Sequence, residues 1–257
     1  MTGATLLSLI IGVFVGTAAG YLGSVMILER MALVGDALSH VALPGLAIGI
    51  LLNFNPFIGA FAFLFASAVL VWYVQRMTKL PFETIVGATF TLALAVGIVI
   101  IPEPELLEAL FGDITKVTLW DTLAAVAISV GTVLVTKMIY HKLVLGIISE
   151  DIAISKGINT AKVNLLYLFL VSIIVAVGIK IVGTLLVGFL VVVPAAAARN
   201  LSVNLTRYAT LSMIFGAGSA FIGILLSSLF ELPTGPMVVF VGVAFFAMSI
   251  IARAIAK

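Results

Sequence analysis

The chain has 257 residues, of which 63% are hydrophobic and 9% charged, and its mean hydropathy is +1.35. A soluble domain carries about a quarter charged residues because it must present a wet surface, so this composition excludes a water-soluble globule and places most of the outer surface in lipid. A net charge of +2 gives no reason to expect a nucleic-acid partner, and the lack of cysteine excludes disulfides, thiolate metal sites and a cysteine nucleophile.

A membrane-spanning helix needs about 20 mostly apolar residues. The first such run is 5–28. Met1–Leu28 contains no Lys or Arg, so it reads as a retained span, not a signal peptide. Gly12, Gly16 and Gly20 give it a stripe of small residues suited to close helix packing. The second run, 31–52, carries Asp36, Ser39, His40, Pro44 and Gly45. Asp36 and His40 are four apart and fall on one helix face. A carboxylate inside the bilayer costs about 2.5–3.5 kcal/mol and needs a partner or a wet cavity. An imidazole nitrogen with a carboxylate oxygen suits Zn, Mn or Fe(II), and the two would make half of a site. Equally, they could form a hydrogen-bonded pair that fixes helix packing. Pro44-Gly45 would open the backbone hydrogen bonding beside His40, either to kink the helix around a pathway or to shape its packing.

Runs three to five are 56–76, 84–101 and 121–140, with Glu83 as a helix-start residue. The connection Pro102–Asp121 is acidic, carrying Glu103, Glu105, Glu108, Asp113 and Asp121 against Lys116. His141, beside Lys142, reads as a solvated residue at a helix end. The following segment predicts a short helix at about 149–160. Ser149 would cap it, Glu150 and Asp151 would occupy its first turn, Ala153 would lie within it, and Gly157 would terminate it. Such a helix could lie on the inner leaflet or dock into a cytosolic partner.

Runs six and seven, 162–178 and 181–198, are short and separated by Gly178-Ile179-Lys180. One could be bent or re-entrant, which leaves eight or nine spans. Lys180 would sit at the turn, as a snorkelling lysine or as the lining of an outer vestibule. Runs eight and nine are 208–230 and 236–254. No linker divides the chain, so residues 1–257 read as a single all-α transmembrane domain.

Cytoplasmic loops are enriched in Lys and Arg. With nine spans and the N-terminus outside, Arg30, Arg76, Lys79, Lys137, Lys142, Lys156, Lys162, Arg199, Arg207, Arg253 and Lys257 fall inside. Those are eleven of the thirteen cations, leaving Lys116 and Lys180 outside. This arrangement predicts a multi-pass plasma-membrane protein with a cytoplasmic C-terminus.

An ordered series of segments carries a resemblance. It runs from Gly35-Asp36-Ala37-Leu38-Ser39-His40 and Leu43-Pro44-Gly45 to Leu110-Phe111-Gly112-Asp113-Ile114, then Ser149-Glu150-Asp151 with Ala153 and Gly157. It continues through Lys180-Ile181-Val182-Gly183 to Pro194-Ala195-Ala196-Ala197-Ala198 and ends at Leu232-Pro233-Thr234-Gly235-Pro236. Together they resemble the metal-ion family of ATP-binding-cassette importer permeases, the membrane subunits for manganese, zinc and iron(II). That resemblance implies a polytopic helix bundle of the cobalamin and metal-chelate importer class. It further implies a second permease copy, two cytosolic ATP-binding subunits and an extracytoplasmic metal-binding protein. The divalent metal is cargo, with no permanently bound cofactor. By the family's pattern Asp36 and His40 are metal ligands, and Ser149, Glu150, Asp151, Ala153 and Gly157 couple to the ATPase. Pro44, Gly45, Lys180 and Pro194 shape the pathway. Leu43-Pro44-Gly45 is closer to manganese-type members than to the Leu-Leu-Gly of many zinc-type ones. The chain has no G-x-x-x-x-G-K-[ST] phosphate loop, so it is expected to be a non-catalytic transport subunit. Two alternatives are a permease for a metal chelate or cobalamin, and a secondary metal-ion transporter.

Overall fold

The structure, a computed structural model, describes residues 3–78, 80, 82–101 and 117–255; at residues 4, 32–36, 38, 76, 82, 83, 180–182, 185 and 186 it describes the backbone alone. Among the described residues the regular structure is all helical. The helices are α1 (Gly3–Leu28), α2 (Ala32–Leu51), α3 (Pro56–Met77), α4 (Phe82–Ile100), α5 (Leu119–Ile148), α6 (Glu150–Ser155), α7 (Thr160–Val182), α8 (Thr184–Leu201), α9 (Leu205–Phe230) and α10 (Thr234–Ile255). Helices alone satisfy every backbone donor and acceptor within one segment, which hydrocarbon demands.

Six helices contain stretches long and apolar enough to cross a membrane: Thr5–Leu28, Pro56–Gln75, Leu119–Ile148, Thr160–Ile179, Leu205–Phe230 and Thr234–Ile255. In α2, α4 and α8 the apolar stretches among the residues with described side chains are Ser39–Leu51, Thr84–Ile100 and Val187–Leu201. The nine apolar runs of the sequence thus each become a helix.

Local chemistry sets the boundaries. Asn55 caps α3, its side chain accepting from the Phe57 amide at 3.0 Å, with Pro56 in the first turn. Thr118 and Asp121 form a reciprocal capping box at the start of α5. Asn159 and Asn204 cap α7 and α9, accepting from Lys162 N–H at 3.0 Å and Arg207 N–H at 2.8 Å.

Two expected boundaries move. The α5 helix runs on to Ile148, eight residues past the expected end, because Leu143 and Val144 are buried against neighbouring helices. The break between runs six and seven falls at Gly183, not at Gly178–Lys180. Gly183 has φ 82°, a left-handed conformation that glycine adopts at little cost. Both are continuous helices, and α7 and α8 meet at that one residue. Lys180 therefore lies within the last turn of α7, not on a turn.

Helix α1 is the central element, packed against α5, α7, α8 and α9. Its glycine stripe faces α9: a Cβ at Gly16 would strike the Gly216 carbonyl, and a Cβ at Gly216 would strike that of Gly16. Backbones therefore meet there without intervening side chains, as the stripe predicts. The Tyr167 hydroxyl donates to the Leu22 carbonyl at 2.9 Å, tying α7 to α1. One end of the bundle gathers the C-terminal ends of α1, α3, α5, α8 and α10 and the N-terminal ends of α2, α4, α7 and α9. Arg30, Lys142, Lys156, Lys162, Arg199, Arg207 and Arg253 all fall at or near this end; it is called the basic end below.

Candidate functional site

Helix α2 lies between α3, α4 and α8. It is unbroken from Ala32 to Leu51 with Pro44 inside, so the proline does not divide it. Pro44 has no N–H to offer the His40 carbonyl, the acceptor one turn earlier. Both residues beside His40 in the pattern serve packing. Gly45 and Gly59 of α3 abut so closely that a Cβ on either would strike the other's carbonyl, and Pro44 and Leu43 pack against Gly97 of α4.

His40 itself is 8% exposed, with Nδ1 shielded from solvent. Its ring lies 5.3 Å from that of Phe90 on α4, tilted by 58°. It sits eight residues into α2, about 12 Å from the basic end at 1.5 Å per residue. Asp36 is one turn nearer that end on the same face of α2; its side chain lies outside the described residues. Among the described residues no three His, Asp, Glu or Cys side chains converge. Pro194 is buried inside α8, which packs against α2. The Lys180 side chain and the Leu110–Ile114 motif lie outside the described residues, as does most of the acidic connection before Asp121.

The short helix forms where expected. The Ser149 side chain accepts from Ile152 N–H at 3.3 Å, and Gly157, with φ 75°, closes the turn as Ile158 N–H reaches the Ala153 carbonyl at 3.0 Å. Ala153 is fully buried (0% exposed) against α5 and α7. Glu150 Oε1 accepts from the Thr160 hydroxyl at 2.9 Å, latching α6 to the start of α7. The outward residues are Ile152 and Ile154, 48% and 57% exposed. The sequence reading passed over both. Their signal was alternation with Ala153 in Ile-Ala-Ile, one small residue facing in between two large ones facing out.

One further site was missed. Beside α2 on its basic-end side lies a small pocket of about 60 Å³, walled by α2, α3, α4 and α7 and bordered by the residues after α1. Glu29, the residue after α1, lines it and is half-buried. Desolvation pushes its carboxyl up to about 7, because burial penalises the charged form. The folded state thus holds a proton that the unfolded chain releases near 4.5. The stability this contributes is complete below about pH 4.5 and is lost as pH rises through about 7. Glu29→Gln is expected to gain on the native protein over that interval, by up to roughly 3 kcal/mol. Melting curves of both proteins between pH 4.5 and 8 check this; a constant difference across the range would contradict it.

The comparisons with known proteins agree with this architecture. The family described as "ABC 3 transport family" matches residues 2–253. The manganese transport system membrane protein MntC of Listeria monocytogenes is 31% identical over 243 residues, covering 93% of this chain and 87% of that protein. The high-affinity zinc uptake system membrane protein ZnuB of Buchnera aphidicola is 31% identical over 244 residues, covering 93% and 94%. The solved structure of PsaBC from Streptococcus pneumoniae in complex with Fab superposes with a TM-score of 0.87 at 28% identity, covering 97% of this chain and 91% of that one.

Proposed function

The chain belongs to the ABC 3 transport family, and from that premise we propose that it is the membrane permease through which an ATP-driven importer brings manganese or a chemically similar divalent metal into the cell. The observation that carries the proposal is His40: a buried imidazole midway along a helix, one turn from an aspartate, in a chain with almost no other intramembrane metal donor. An imidazole and a carboxylate bind Mn, Zn or Fe(II), and two protein donors leave room for water or a second copy's residues. That moderate affinity suits a path that must release its cargo as well as capture it. The chain itself has no phosphate loop, so ATP is hydrolysed on cytosolic partner subunits. The basic end faces them, in keeping with the excess of Lys and Arg on cytoplasmic surfaces, and an extracytoplasmic binding protein delivers metal to the opposite end.

In this account α6 is the coupling contact. Ala153 anchors it, the Glu150–Thr160 bond holds its angle, and Ile152 with Ile154 insert into a groove of the ATPase. Two changes test it. Ile152→Asp and Glu150→Arg should each leave ATP hydrolysis by the assembled complex near its basal rate while lowering metal uptake at least about tenfold, equivalent to 1.4 kcal/mol of lost coupling. Uptake and hydrolysis that remain in normal ratio in both variants would remove α6 from this role. Uptake of Mn, Zn and Fe(II) into vesicles carrying the permease, its ATPase and its delivery protein identifies the cargo. Accumulation of a chelate or cobalamin, or uptake with no ATPase present, would replace this reading with another.

A further inference from the structure

The pocket beside Glu29 has a chemistry that the His40 site does not explain. Lower residue numbers on α2 and α4 lie nearer the basic end, since both helices begin there. The pocket is lined by Ala37 and Val41 of α2 and by Val86 and Thr89 of α4. Val41 and Thr89 are the chain neighbours of His40 and Phe90, whose rings lie 5.3 Å apart. The lining therefore extends from Glu29, Met31 and Gln75 near the basic end to the depth of that ring pair, which does not itself line the pocket.

Its walls are largely apolar, and its polar groups are mostly oxygen donors. Glu29 supplies a carboxylate, Gln75 and Asn164 supply amide oxygens, and Ser67 supplies a hydroxyl. Tyr167 also lines it, but its hydroxyl is committed to the Leu22 carbonyl. Among the described lining residues none is basic, so a bound cation would meet no repulsion from them. Glu29 owes its place to the chain reversal after α1. Met31 N–H reaches back to the Met26 carbonyl at 2.9 Å and Arg30 N–H to the Ile27 carbonyl at 3.2 Å. This helix ending puts its next-to-last residue in the left-handed region, usually as glycine. Here that residue is Arg30, with φ 61°. The exposed guanidinium goes to the surface while its neighbour, the acid, stays on the pocket wall.

We propose that this pocket is a second cation station, in which Glu29 with the oxygens of Gln75 and Asn164 holds the metal after it leaves His40 and before it reaches the cytosol. One carboxylate among neutral oxygens, with water to complete the shell, suits a hard divalent ion such as Mn(II) more than thiophilic or imidazole-seeking ions. The inference rests on the metal-import reading, and its test is arranged so that the two can fail separately.

The test measures Mn(II) binding to the purified permease–ATPase complex, by titration of the free Mn(II) electron-paramagnetic signal. Four forms are compared: wild type, Asp36→Ala/His40→Ala, the same pair with Glu29→Gln, and Glu29→Gln alone. The Asp36→Ala/His40→Ala complex should keep one Mn(II) site per permease, and adding Glu29→Gln should weaken that site at least tenfold. Glu29→Gln alone should slow vesicle uptake of Mn(II) several-fold while leaving the half-saturating external concentration unchanged. Asn164→Leu should weaken the same residual site, which guards against an effect of the Glu29→Gln change on folding alone. Loss of all Mn(II) binding in the Asp36→Ala/His40→Ala complex would overturn the proposal, as would residual binding indifferent to both Glu29→Gln and Asn164→Leu. If uptake survives in Asp36→Ala/His40→Ala, the His40 reading fails, while the titration still decides the Glu29 station.

Discussion

Replacing His40 with leucine is expected to lower metal uptake at least a hundredfold while the permease still inserts, assembles with its ATPase and melts near the wild-type temperature. A hundredfold corresponds to about 2.8 kcal/mol, a modest share of what a metal gains from an imidazole. The loss should be large because no other residue can substitute. The chain has two histidines, and His141 is exposed on α5, away from the helix that carries His40. Leucine fills a similar volume beside Phe90, so the α2–α4 contact survives and the effect on folding stays small. Asp36→Asn should produce a loss of similar size, because the amide keeps the shape and removes the charge. Uptake at the wild-type rate in both variants would show that the pair is only a packing device, the second reading its spacing allows.

Gly16→Leu should have the largest effect on stability. Gly16 and Gly216 let α1 and α9 touch backbone to backbone, and any side chain at either position meets a carbonyl oxygen. Backbone cannot swing aside as a side chain can, so the central helix would have to separate from α9. Overpacking of this kind costs about 1–3 kcal/mol or more, enough to lower the melting temperature in detergent by roughly 10 °C or to prevent recovery of monodisperse protein. Gly131→Ala is the matched control. A Cβ there meets nothing within 4 Å, and alanine is the better helix former, so that variant should melt at or slightly above wild type. A Gly16→Leu protein as stable as Gly131→Ala would mean that the α1–α9 contact is looser than described.

Much of the fold was legible because lipid imposes a simple grammar. An apolar run of sufficient length must become a helix, and nine runs did. The errors came where charge was mistaken for an ending. His141-Lys142 looked like a terminus, but Leu143 and Val144 continue the buried face of α5 for two more turns. Lys180 next to Gly178 looked like a turn, yet only Gly183 has the backbone angle a turn requires. Gly178 instead lies inside α7, about one turn before its end, where the absence of a side chain admits Val187 of α8. Asp36 and His40 stand out as candidates because polar residues are conspicuous in an apolar run. Glu29 was hidden because it lies at the edge of a run, beside an arginine, where acids and bases ordinarily face water together. That Arg30 would take the left-handed position and leave Glu29 on a pocket wall depends on how the chain enters α2, which no short spacing encodes. Ile152 and Ile154 were hidden by the opposite effect, since apolar residues attract no notice in so apolar a chain.

The length of α5 has a mechanical meaning. Thirty residues make a rod of about 45 Å, whereas the hydrocarbon layer is about 30 Å thick. The rod is therefore about 15 Å longer than that layer is thick, a little under three turns, and bears α6 at its C-terminal tip. A tilt of about 10° around its midpoint moves that tip by roughly 4 Å, close to the width of one side chain. A ratchet at the ATPase surface and a small sway deep in the bilayer would then be two ends of one lever.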